Sequence, residues 1–90
     1  MIDPDEQILI CAVRYALGRM SYITFDVGKY VELKTKHLST QCIKIIAKDI
    51  EEELERYHAA GQPLGMKCDD KMWTMLLENL KGELNERNQR

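Results

Sequence analysis

Tyr22-Ile23-Thr24-Phe25-Asp26-Val27-Gly28-Lys29-Tyr30-Val31-Glu32-Leu33 is the stretch on which the fold class turns. Its β-branched and aromatic content suits a strand, whereas Ile23, Val27, Tyr30 and Val31 are spaced to share one face of a helix. A strand needs a partner, and no other segment of the chain offers one, so the stretch is read as a helix. The chain is then expected to be all-α, a compact bundle of about four helices.

The flanking sequence agrees. Upstream, Asp3-Pro4-Asp5-Glu6 has the form of a helix start: a capping aspartate, proline in the first turn, and carboxylates near the positive end of the helix dipole. Ile8, Leu9, Ala12, Val13, Ala16, Leu17 and Met20 then recur at three- and four-residue spacing, predicting a helix to Arg19 or Met20 that bends or stops near Gly18. Downstream, residues 34–38 read as a polar connector containing His37, and Ser39 or Thr40 caps a third helix. The apolar stripe of that helix is Ile43, Ile46, Ala47, Ile50, Leu54 and Tyr57, with Gly61 ending it and His58 facing its negative terminus. Residues 61–69 form a loop, Asp69 or Asp70 caps the last helix, and Met72, Trp73, Leu76, Leu77, Leu80 and Leu84 give it a wide apolar face before a frayed tail at 86–90. The first and third helices are expected to pack together, with the last covering them or forming a dimer surface.

Ninety residues make a single domain, 1–90, whose burial per residue is limited, so self-association into a homo-oligomer is expected. A net charge of -2, from 13 basic and 15 acidic residues, gives no general attraction to nucleic acid. Lys29, Lys34, Lys36, Lys44 and Lys48 are diluted by nearby acids. The acidic start and the lack of a long apolar run predict neither a signal peptide nor a membrane partner, and a cytosolic protein. Cys11, Cys42 and Cys68 form no paired motif: the first two read as small core hydrophobes and Cys68 as the more reactive thiol. The separated histidines His37 and His58 make no metal motif, and no nucleophile–base pair, phosphate loop or dinucleotide fingerprint is present, so no cofactor, metal or catalytic residue is nominated.

One cluster remains: Arg14, Tyr15, Arg19, Ser21 and Tyr22, two arginines and two tyrosines within nine residues. In a structural reading, Arg14 or Arg19 pairs with Asp49 or Glu53 on the third helix and ties the bundle internally. In a binding reading, the guanidinium forks and tyrosine rings hold a small phosphorylated or nucleotide ligand. The same residue types are enriched in protein–protein hot spots, so composition leaves a partner surface equally open.

The stretch Ala12-Val13-Arg14-Tyr15-Ala16-Leu17-Gly18-Arg19, followed by Ser21-Tyr22-Ile23, resembles small proteins encoded by bacteriophages and prophages. Asp49-Ile50-Glu51-Glu52-Glu53-Leu54 is similar to their second, acidic landmark. The resemblance carries no established activity. It implies a phage setting in a bacterial host cytosol and, by analogy, a non-catalytic protein that sequesters a nucleotide-type ligand to antagonise a host defence signal. The alternative it leaves open is an interaction module in which the arginine and tyrosine cluster, or the Trp73 face, binds and inhibits a host or phage protein.

Overall fold

The computed structural model describes residues 2–19, 22–59 and 70–89, without the side chains at 18, 19, 22–26, 57, 58, 70 and 71. Four α-helices and one 3-10 turn make up these residues: α1 (Pro4–Arg19), α2 (Tyr22–Lys34), the turn (Thr35–His37), α3 (Thr40–Ala59) and α4 (Asp70–Asn88). The stretch that decides the fold class is helical throughout, and the described residues contain no strand.

The starts of α1 and α3 are built by side chains that satisfy orphan backbone donors. Asp3 caps α1, its Oδ1 accepting the Asp5 N–H at 2.8 Å and its carbonyl the Gln7 N–H at 3.0 Å. Ser39, of the two candidates, caps α3: its Oγ accepts the Cys42 N–H at 3.1 Å and its carbonyl the Ile43 N–H at 3.0 Å. Glu6 on α1 then accepts from the Ser39 N–H at 2.7 Å and from its hydroxyl at 2.8 Å, which binds the starts of α1 and α3 together.

The core lies where α3 is enclosed by α1 and α4. Ile43, Ile46 and Ile50 of α3 are wholly buried, as are Val13 and Ala16 of α1, Val31 of α2, and Trp73 and Leu80 of α4. Each large aliphatic side chain buried this way contributes about 1.5–3 kcal/mol. The expected contacts of the third helix with the first and last are therefore present. α2 runs back along α1 and reaches α4 at Gly28, where a Cβ would stand 2.9 Å from Cε and 3.0 Å from Sδ of Met72. A glycine is what allows that approach.

Five expectations are corrected. Ile8 is 68% exposed and Tyr30 52% exposed, because α1 turns Leu9, Ile10 and Val13 inward and α2 turns Val31 inward, leaving the outer part of each apolar arc in solvent. Cys11 is exposed on that outer side of α1, whereas Cys42 is buried as expected. Trp73 is sealed in the core, so α4 presents no tryptophan for docking, and its indole N–H has no acceptor among the described residues. Finally, α4 runs to Asn88, through most of the segment expected to fray. Arg87 explains this: its guanidinium donates to Glu83 (2.9 Å), Thr40 Oγ1 (3.1 Å) and the carbonyls of Thr35 (3.3 Å) and Lys36 (3.4 Å). The expectations for Tyr57, His58, Gly61, Cys68 and the 61–69 loop lie outside the described residues.

Candidate functional site

Of the grouped residues, the structure describes the side chains of Arg14 and Tyr15. Arg14 Nε donates to Asp49 Oδ2 at 2.7 Å, the internal tie between α1 and α3. That hydrogen bond, with the Asp49 charge, raises the guanidinium pKa above its ordinary value. Glu53, the other candidate acceptor, takes Arg56 at 2.7 Å instead. Arg14, Leu17, Asp49, Glu52, Glu53 and Arg56 surround a shallow hollow of about 250 Å³, in which two guanidinium groups meet three carboxylates.

Tyr15 follows Arg14 directly, and adjacent helical residues point about 100° apart, so its ring does not share the Arg14 hollow. It is 54% exposed, on the side of α1 that carries Ile8 two turns below. The Arg19 and Tyr22 side chains and Ser21 lie outside the described residues. Of the five predicted site residues, then, Arg14 and Tyr15 are placed, and they face different ways.

A second opening escaped the sequence reading. Between α1 and α2 lies an open groove of about 440 Å³ lined by Asp5, Ile8, Leu9, Ala12, Val27 and Tyr30. Among the described residues, its lining is apolar apart from Asp5 and the tyrosine hydroxyl. Lys34 sits one helical turn beyond Tyr30, its Nζ 5.9 Å from the ring centroid. The signal was present in the sequence: α1 is apolar at Ile8 and Ala12 as well as at Leu9, Val13, Ala16 and Leu17, an arc wider than one neighbouring helix covers.

Two further clusters are structural. Glu83, 6% exposed, binds Arg87 through Oε2 and Lys36 through Oε1 at 3.3 Å, and the Arg87 hydrogen bond is the main cause that lowers its pKa. Glu6 is likewise lowered, chiefly by the Ser39 backbone N–H. Burial, with the Glu6 charge added, pushes the Cys42 thiol up to about 11, leaving it protonated at neutral pH and unsuited to nucleophilic work. Among the described residues no group of three or more His, Cys, Asp or Glu side chains could hold a metal ion, and no helix is long and apolar enough to cross a membrane. Comparison with protein families, curated proteins and solved structures finds no match to this chain.

Proposed function

We propose that this chain is a non-catalytic protein-interaction module whose working surface is the α1–α2 groove. The observation that carries the reading is the pair of large apolar side chains, Ile8 and Tyr30, standing more than half exposed beside an open apolar hollow. Such a patch on a small domain marks a surface completed by another polypeptide. The resemblance to small phage proteins supports a role for the completed module in the antagonism of a host process inside a bacterial cell.

Sequestration of a nucleotide fits the geometry less well. Arg14 is engaged by Asp49, and Glu52 and Glu53 beside it would repel a phosphate, so the described residues of the hollow lack the surplus of donors and positive charge that an anion requires.

A photo-crosslinking residue placed at Tyr30 in growing bacterial cells tests the reading. A covalent adduct with a protein is expected, absent when the crosslinker replaces the exposed Lys48 on α3 and lost when Ile8→Glu is added. No protein adduct, together with a nucleotide-dependent rise in Tm that Arg14→Ala abolishes, would replace it with sequestration.

A further inference from the structure

We infer that the polypeptide filling the α1–α2 groove is a second copy of this chain, an inference that rests on the protein-docking reading above. The groove and the side chains able to fill it belong to the same surface: Ile8 and Tyr30 project from the rim, and Ala12 and Val27 leave space between the helices. A two-fold interface requires that kind of self-complementary patch, because each copy presents the same residues to the other.

The charges at one end of the groove select both the partner and its orientation. Asp5, Ile8 and Leu9 from the first half of α1 line the groove together with Val27 and Tyr30 from the later half of α2, so the start of α1 and the end of α2 lie at the same end. Asp5 on α1 lines the groove there, and Lys34 on α2 is held over the Tyr30 ring. A two-fold axis running along the groove places α1 of one copy over α2 of the other while keeping every residue at its own height. Asp5 then faces Lys34 of the second copy, twice, and Ile8 meets the Tyr30 turn of the opposing α2. Four helices, two from each copy, close around a shared apolar seam, the arrangement of a four-helix bundle. An unrelated occupant would have to offer a cation opposite Asp5 and an anion opposite Lys34 on neighbouring elements, whereas this chain meets both requirements itself. The hollow at Arg14 and Asp49 faces α3 and stays open on each copy.

Native mass spectrometry and sedimentation of the purified full chain test the pairing. Twice the chain mass of 10.5 kDa is expected. Ile8→Glu should yield a monomer with an unchanged far-UV circular dichroism spectrum, since Ile8 adds little to the core of a single copy. Asp5→Lys and Lys34→Glu should each raise the dimer Kd about tenfold, and the two together should restore it. A dimer insensitive to Ile8→Glu, or a charge exchange that fails to restore pairing, overturns the inference. A monomeric wild-type chain whose position-30 crosslinker captures a different protein overturns the second-copy inference alone. A monomer that captures no protein overturns the docking reading with it.

Discussion

Arg14 shows how one residue changes meaning between sequence and structure. As part of a run with Tyr15 and Arg19 it suggests an anion cradle, but on a helix its nearest partners come from the facing element, and Asp49 takes it at 2.7 Å. Because this ion pair is largely exposed, Arg14→Ala should leave the circular dichroism spectrum intact and shift Tm little. Ser39 carries more: Ser39→Ala removes a cap and should cost about 1 kcal/mol, or about 4–8 °C in Tm, read from thermal melts. Glu6 and Glu83 titrate lower in the folded chain than in the unfolded one. The stability they lend is therefore complete above the ordinary carboxylate value of 4.5 and is lost as pH falls through their lowered values. Glu6→Gln and Glu83→Gln should each flatten the decline of Tm on the acid side of that value; an unaltered slope would mean that the ties to Ser39 and Arg87 do not form in solution. The Asp3 cap was legible from its spacing, and the Arg14–Asp49 tie was one of two weighed readings. Glu6–Ser39 and Arg87–Thr40 were not, because Glu6 and Ser39 each read as serving its own helix start and Arg87 falls in the segment read as a frayed tail.

At the scale of elements, helical spacing outweighs β propensity in α2, since burial of Val31 and Gly28 against the bundle overrides the preferences of single residues. The same spacing identified the stripes of α3 and α4. It misplaced Ile8 and Tyr30 because periodicity defines an apolar arc and not how much of that arc a neighbour covers. Ile46→Ala, in the middle of the α3 stripe, should destabilise by about 2–5 kcal/mol in denaturant titration. The two described glycines of α2 and α4 should behave differently. Gly82 has open space where a Cβ would go, so Gly82→Ala should stabilise by about 0.5–1 kcal/mol. At Gly28 the helix-propensity gain is offset by displacing the end of the flexible Met72 side chain, and Gly28→Ala should be close to neutral whereas Gly28→Val destabilises. Thermal melts of these variants check the ordering.

For the molecule as a whole, the bundle leaves one side of the α1–α2 pair unfinished. α3 is covered by α1 and α4, and the Glu83–Arg87 cluster fastens the end of α4 to the 3-10 turn and the start of α3. The outer surface of α1 and α2, with Ile8, Tyr30 and the 75% exposed Leu33, has no such cover among the described residues. The most direct test of a protein-filled groove is carbene footprinting of the wild-type chain in dilute and in concentrated solution, read residue by residue. Labelling of Ile8 and Tyr30 should fall as concentration rises while that of Met75, also exposed but on α4, stays constant. Equal labelling of Ile8 and Met75 at every concentration would contradict the account.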